Sequence, residues 1–374
     1  MKVLMDIQSA VTQRAGVGRY TRELLEHLPV AMHPGNSLAG FYFDFKGNAQ
    51  AAAPADVELK RCGWCPGRIA EQVWKRVNWP PYDWLSGKAD IFHFPNFTAR
   101  PVTAGHTVIT VHDISFVRFP QFTEARNLSY LGARLPDSLK RAEAVITDSQ
   151  FSADEIVDAM GVAEEKVFPI HLGISSRFAA PPEDALADFR KRHGLQHPYL
   201  LSVGTLEPRK NIPFLVNCFE QLHDFDGELV LAGTRGWLYD PILDRIKHSP
   251  CHNRIRLLEG LPDTDMPALY AAAELFVCAS FYEGFGFPPL EAMACGTPVV
   301  SSCGGSLKET AGNAALLLDN FEVEAWVAEI SRLLHDSTRR AELSTRGIEH
   351  AAGYRWEKTA QQTWQVYQRL TGDA

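Results

Sequence analysis

The sequence lacks a cationic excess, a cysteine framework and any long apolar run, and each absence narrows what it can do. Lys and Arg number 37 against 45 Asp and Glu, a net charge of −8. Nothing chain-wide neutralises a nucleic-acid backbone, so nucleic acid is not an expected partner. The deficit is uneven: 19 cations meet 19 carboxylates up to Phe178, and 18 meet 26 beyond it. Seven cysteines spread over 374 residues form an odd set with no disulfide pattern, which points to a reducing compartment. Cys62-x-x-Cys65 has no second pair or following His at ligand spacing, so no metal site is expected. No apolar run approaches the roughly 18 residues needed to span a bilayer. Met1 to Ala10 is an apolar strand holding Lys2 and Asp6, not a leader pattern. The expected location is the cytoplasm, including attachment to the cytoplasmic face of the inner membrane.

What is present is a globular balance, 45% hydrophobic and 22% charged residues, in a chain long enough for two domains. Short apolar runs at Val108–Val111, Ala144–Ile146, Tyr199–Val203, Leu229–Ala232, Leu275–Ala279 and Pro298–Ser301 are bounded by polar or Gly-rich turns. They alternate with helical patterns at Arg19–Leu28, Ser152–Met160, Ile212–Leu222, Asp265–Ala272 and Phe287–Cys295. This rhythm predicts an α/β chain of doubly wound parallel sheets. It restarts at Tyr199 after the small, Pro-bearing segment Ala179-Ala180-Pro181-Pro182. The expected organisation is a Rossmann-like domain over 1–178, a linker and entry segment over 179–198, a second Rossmann-like domain over 199–355 and an amphipathic helix over 356–374.

Four strand ends carry candidate chemistry. Ala15-Gly16-Val17-Gly18-Arg19-Tyr20 lies between the first strand and a helix. Glycines there let backbone amides approach a phosphate at the helix start, although a tight βα turn needs the same residues. Thr at position 21 removes the third glycine of the dinucleotide fingerprint, which disfavours a nicotinamide enzyme. His112 follows an apolar strand, where open α/β folds bind ligands. It can bond a sugar hydroxyl or titrate near neutrality, and a structural role is the alternative.

In Leu201-Ser202-Val203-Gly204-Thr205-Leu206-Glu207-Pro208-Arg209-Lys210-Asn211, a strand runs into Gly204 and then presents two adjacent cations before a helix. Arg209 as a planar fork and Lys210 as a point charge suit two phosphates, the alternative being an ion pair with Glu207. Glu283 and Glu291 flank a Gly-rich loop and a Pro-initiated helix after another strand. Carboxylates so placed accept hydrogen bonds from vicinal hydroxyls while loop amides meet a phosphate. The alternative makes Glu283 a cap and Glu291 a solvated helix residue.

The motifs AGVGRY, TVHDISF, VITDSQFS, SVGTLEPRKN, YEGFGFPPLEAMACGTPVV and the final YRWEKTAQQTW resemble family 4 of the retaining glycosyltransferases, over nearly the whole chain. Within it the chain is similar to bacterial mannosyltransferases of lipopolysaccharide O-antigen synthesis. The resemblance implies a GT-B fold, two Rossmann-like domains facing across a cleft with the last helix crossing back to the first. It implies nucleotide sugar held by the second domain and acceptor by the first. Arg209 and Lys210 match the diphosphate-binding pair, Glu283 the carboxylate on the donor-sugar hydroxyls, and Glu291 the one on the ribose. Gly16 and Gly18 match the loop capping the diphosphate and His112 the histidine beside the donor sugar, and Gly204 is expected among the donor-binding residues. Phe285 and Gly286 match a loop whose amides meet phosphate and sugar, and Leu261 falls in the base-binding loop. Two departures stand out: His171-Leu172-Gly173-Ile174-Ser175-Ser176 lacks a common Asp, and Lys308 stands where Pro is common.

The expected reaction is retaining transfer of a hexose, foremost mannose from GDP-mannose, to a polyprenyl-diphosphate-linked saccharide, with neither metal nor cofactor. GDP-rhamnose or a UDP-sugar as donor, and a non-hydrolysing nucleotide-sugar epimerase of the same fold, are the alternatives. The stretch 61–88 adds one partner. It holds Trp64, Trp74, Trp79 and Trp84, four of the eight tryptophans, among Arg68, Lys75 and Arg76. Basic and aromatic residues at helical spacing suit a membrane surface near a lipid-linked acceptor. A helix packed on the first sheet accounts for Trp74 equally well.

Overall fold

The computed structural model describes residues 1–13 and 16–372. Ala15, at the head of the AGVGRY motif, lies outside the described residues. The chain forms two compact units. One comprises Met1–Val117, Ala125–Gly173 and the segment from Arg355; the other comprises Arg118–Glu124 and Ile174–Tyr354.

The first unit is built on seven parallel strands: β1 (Lys2–Asp6), β2 (Ser37–Phe43), β3 (Glu58–Cys62), β4 (Ile91–Phe94), β5 (His106–Thr110), β6 (Ala144–Thr147) and β7 (Val167–Pro169), in the order β3-β2-β1-β4-β5-β6-β7. The chain winds outward from β1 to β3 and then returns to pair β4 with β1, which puts the topological switch between those two. All four residues of β4 and of β6 are buried, as a parallel sheet covered by helices on both faces demands. Leu4, Phe41, Trp74, Phe92, Ile109 and Val145 fill the core.

The last helix, Trp356–Thr371, belongs to this unit and packs on the helix Val17–Ala31. Its buried residues Trp356, Thr359, Ala360, Thr363, Trp364, Val366 and Tyr367 link through steps of three and four along one broad face. Tyr367 closes the contact: its hydroxyl shares a 2.6 Å hydrogen bond with His93 Nδ1, while His93 Nε2 meets Thr110 Oγ1 at 2.8 Å. Burial holds His93 down to about 3, so it is neutral at physiological pH.

The second unit repeats the plan with six parallel strands: β8 (Tyr199–Val203), β9 (Glu228–Ala232), β10 (Ile255–Leu258), β11 (Leu275–Cys278), β12 (Val299–Ser302) and β13 (Leu316–Leu318), in the order β10-β9-β8-β11-β12-β13. Here the switch falls between β8 and β11. Leu200, Phe214, Phe219, Leu231, Val277 and Trp326 anchor its core. Among the described residues no helix is long and apolar enough to cross a membrane.

Within the expected linker and entry segment, 179–198, Glu183–His193 forms a helix that buries Phe189 and sends Arg190 Nη2 to the carbonyl of Ala272 at 2.8 Å. Pro182 stands at the N-cap, where the missing amide costs the helix nothing. The segment 118–124 belongs to the second unit although it lies within 1–178. Phe122 stacks on Phe281 at 5.4 Å, and its carbonyl accepts a 2.5 Å bond from Trp237 Nε1. Contacts more than a hundred residues apart in sequence leave no local signature.

Candidate active site

The switch between β8 and β11 brings two separated motifs together. Beyond β8 the chain turns at Gly204 and forms a short 3₁₀ turn, Pro208–Lys210. Beyond β11 it runs through Ser280 to Glu283. The amide of Phe281 donates to the carbonyl of Arg209 at 2.9 Å and ties the two segments together. Glu283 is then pinned from behind: its carbonyl accepts from the amide of Ser306 at 2.9 Å and from Ser306 Oγ at 3.1 Å.

Four charges meet there. Arg209 Nη1 donates to Glu283 Oε2 at 2.7 Å and to the carbonyl of Tyr282 at 2.6 Å, and its Nη2 donates to Glu207 Oε1 at 2.5 Å. Lys210 Nζ donates to Glu283 Oε1 at 2.5 Å, an oxygen that also accepts from Ser280 Oγ at 2.6 Å. The ion pair of Arg209 with Glu207 is therefore formed, and Glu283 takes the other terminal nitrogen of the guanidinium. Burial alone raises the pKa of Glu283, but Lys210 and Arg209 outweigh it and hold the carboxyl down to about 2. Glu283 stays ionised throughout the physiological range, and a carboxylate with about four acceptor positions keeps room for a hydroxyl donor.

The lysine stem crosses Gly204. A Cβ there would lie 3.1 Å from Lys210 Cε, so glycine keeps the strand end open for it. Gly286, at φ 93°, starts the helix Phe287–Ala294 in the left-handed region that suits glycine. Phe285 is buried with its ring against Phe287 and Tyr354. Glu291 is buried on that helix and accepts from the Tyr270 hydroxyl at 2.6 Å, not solvated as the structural alternative had it. Leu261 stands apart: half-buried beyond the edge strand β10, it is separated from β8 by the whole of β9.

In the first unit the remaining candidates also converge. Gly16 caps the helix Val17–Ala31 with φ 57° and ψ −124°, a conformation open to glycine and costly for other residues. Gly18 packs where a Cβ would fall 2.1 Å from the carbonyl oxygen of Gln13. One turn on, the ring of Tyr20 meets His112 edge-on at 5.0 Å, and Phe97 does so at 5.7 Å. His112 Nδ1 lies 2.8 Å from Asp148 Oδ2 and Nε2 lies 3.1 Å from the carbonyl of Pro95.

The site candidates read from the sequence do not include Glu207, Ser280, Tyr270 or Asp148, although Asp148 lies in the VITDSQFS motif. For Ser280 and Asp148 the available signal was a short polar residue just after a strand end, while Tyr270, within the helix Met266–Ala271, had none. Among the described residues no group of three or more His, Cys, Asp or Glu is placed to hold a metal ion.

Residues 14–178 match the family model for Glycosyltransferase Family 4 and residues 186–350 the model for Glycosyl transferases group 1. The chain is also 32% identical to the O-antigen chain mannosyltransferase B of Escherichia coli, over 99% of its own length and 100% of that relative. It belongs to glycosyltransferase family 4. Two solved structures share the fold of this glycosyltransferase over the full length of both chains. They are sucrose-phosphate synthase from Thermosynechococcus elongatus, with a TM-score of 0.78 at 22% identity, and HepE of Anabaena, solved with UDP-glucose, with 0.72 at 18%. The paired parallel sheets with flanking helices are the GT-B fold. In this glycosyltransferase the cluster of Arg209, Lys210 and Glu283 sets two cations against one ionised carboxylate.

Proposed function

We propose that this glycosyltransferase moves a hexose, mannose from GDP-mannose, to a lipid-linked saccharide in the assembly of O-antigen or another surface polysaccharide, with retention at the anomeric carbon. The full-length similarity to an O-antigen chain mannosyltransferase carries the sugar and the setting. The Arg209–Glu283–Lys210 cluster at the switch of the second sheet carries the chemistry. As the bond from anomeric carbon to phosphate breaks, positive charge develops on the sugar and negative charge on the nucleoside diphosphate. Arg209 and Lys210 stabilise the leaving diphosphate in place of a metal, and the amides around Phe285 and Gly286 add donors. Glu283 orients the sugar through its hydroxyls, Glu291 meets the ribose, and Leu261 meets the base. Gly16 and Gly18 cap the diphosphate. Attack comes from the face the diphosphate leaves, with the departing phosphate taking the acceptor proton.

A thermal-shift series with GDP, UDP, ADP, dTDP and their sugars tests the donor, because a ligand at 100 times its dissociation constant adds about 2.7 kcal/mol of stability. A selective rise with GDP and GDP-mannose, lost in Arg209→Ala, is expected. A selective UDP or dTDP response overturns the donor and keeps the reaction. No response to any nucleotide counts against the whole reading.

The lipid-linked acceptor brings the protein to a membrane surface through 61–88. Trp64, Trp79 and Trp84 are 72%, 57% and 64% exposed, with Arg68, Lys75 and Arg76 exposed among them. Trp74 is buried and donates to the carbonyl of Pro80, so it belongs to the core. Exposed indoles beside cations suit an anionic headgroup layer. Trp79→Ser combined with Trp84→Ser is expected to reduce sedimentation with phosphatidylglycerol vesicles about tenfold or more, while leaving thermal stability unchanged. Equal sedimentation of the wild type and the double variant would remove this stretch as the contact.

A further inference from the structure

Phe119-Pro120-Gln121-Phe122 places a proline just after one phenylalanine and a second phenylalanine two residues on. Pro120 opens a 3₁₀ turn, Pro120–Phe122, in which the amide of Phe122 donates to the carbonyl of Phe119 at 3.0 Å. Three residues per turn bring side chains i and i+3 into line. The rings of Phe119 and Phe122 accordingly stack, 5.6 Å apart and 7° from parallel. The segment 118–124 belongs to the second unit, and there the double ring meets two consecutive residues. Phe122 stacks on Phe281 at 5.4 Å, and Phe119 meets the ring of Tyr282 edge-on at 5.7 Å. Trp237 Nε1 anchors the turn through the Phe122 carbonyl.

Phe281 and Tyr282 are the residues whose main chain holds Arg209. The amide of Phe281 donates to the carbonyl of Arg209 at 2.9 Å, and the carbonyl of Tyr282 accepts from Arg209 Nη1 at 2.6 Å. Both lie beyond β11, where the chain forms neither helix nor strand, so ring packing shares in fixing them. Phe281 also meets Phe321 at 4.9 Å, and Phe321 stacks on the buried Trp326 at 6.2 Å. Rings therefore run without a break from the turn Pro120–Phe122 through Phe281 to the core of the second unit.

We infer that Phe119 and Phe122 are positioning residues for Arg209, a clip that holds residues 281 and 282 against it and so sets its guanidinium for the leaving diphosphate. The inference rests on the role of Arg209 in the proposed function. Arg209 stands in a single 3₁₀ turn, Pro208–Lys210, and takes its main-chain support from Phe281. A misplacement of about 1 Å can cost about a hundredfold in rate, so a ring that touches no substrate can still set turnover.

In Phe122→Ala the stack on Phe281 is lost. The kcat for GDP release from GDP-mannose falls about tenfold or more, while KM changes less than about threefold. Phe122→Tyr keeps the ring and brings kcat back to within about threefold of wild type. Because the effect passes through Arg209, adding Phe122→Ala to Arg209→Ala lowers turnover by less than about twofold more, whereas a merely structural loss lowers both backgrounds alike. Hydrogen exchange of the full chain reads the same claim without turnover. The Phe281 amide exchanges about tenfold or more faster in Phe122→Ala than in the wild type.

A folded Phe122→Ala variant with unchanged kcat overturns the inference, as does a repeated tenfold loss in the Arg209→Ala background or an unchanged Phe281 amide. A raised KM with kcat kept also overturns it, by making the turn part of donor binding. Should Phe122→Ala not fold, Trp237→Phe takes its place in the same measurements: it removes the indole N–H that anchors the turn, and a loss of about threefold or more in kcat is expected. A wild type that releases no GDP from GDP-mannose sinks the functional reading, and the exchange of the Phe281 amide still decides the clip.

Discussion

Glu283→Ala is expected to abolish detectable sugar transfer and to destabilise the second unit by about 3–5 kcal/mol, because it strips a buried carboxylate from two partly buried cations. Arg209 keeps Glu207 and the carbonyl of Tyr282, but Lys210 Nζ and Ser280 Oγ lose the acceptor that they share. Urea unfolding followed beside a donor-turnover assay separates the two effects. Glu283→Gln refines the test: the amide oxygen can still serve Lys210, while its NH2 then opposes the guanidinium of Arg209. It should be the more stable of the two variants and no more active. A Glu283→Ala protein with wild-type turnover would remove this cluster from the reaction.

The same carboxylate sets an acid limit. Its folded pKa is held from the ordinary 4.5 down to about 2, so its contribution to stability is complete above about pH 4.5 and is lost as pH falls toward 2. Acid unfolding of the wild type should show this loss, and Glu283→Gln should not. A parallel acid response in both proteins would assign the transition to other carboxylates.

Lys210→Ala carries the second large effect. If its ammonium stabilises the leaving diphosphate, its loss costs roughly 2–4 kcal/mol in the transition state, a drop of about 30-fold to 1,000-fold in turnover. Lys210→Arg should recover little of that. The compact ammonium sits 13% exposed against Glu283 with its stem across Gly204, and a planar fork needs more width. Binding of the nucleoside diphosphate should weaken less than turnover falls, since the charge on the phosphate grows as the bond breaks. A loss below threefold in turnover for both Lys210→Ala and Arg209→Ala would falsify this assignment.

Much of the site was legible because its parts are local. A strand followed by Gly204, Arg209 and Lys210 declares itself in eleven residues, and β8 spans the expected Tyr199–Val203. The glycines at 16 and 18, the run around Phe285 and Gly286, and the βα rhythm of both halves are patterns of neighbours. Glu283 was visible as a carboxylate after a strand, but its grip on Arg209 and Lys210 was not. The sequence reading sent it to sugar hydroxyls, with the cations reserved for phosphate.

Composition, periodicity and strand-end motifs by themselves determined a two-sheet α/β chain and the residue types at its strand ends, and the resemblance of those motifs pointed to its family. Backbone geometry and burial act over a few residues, and those constraints are written locally. Tertiary structure alone decided which charges neutralise one another, that 118–124 serves the second unit, and that Asp148 faces His112. Each of these depends on strand order and register, which join residues 36 to more than 100 positions apart. A side chain carries no record of the partner that folding brings to it.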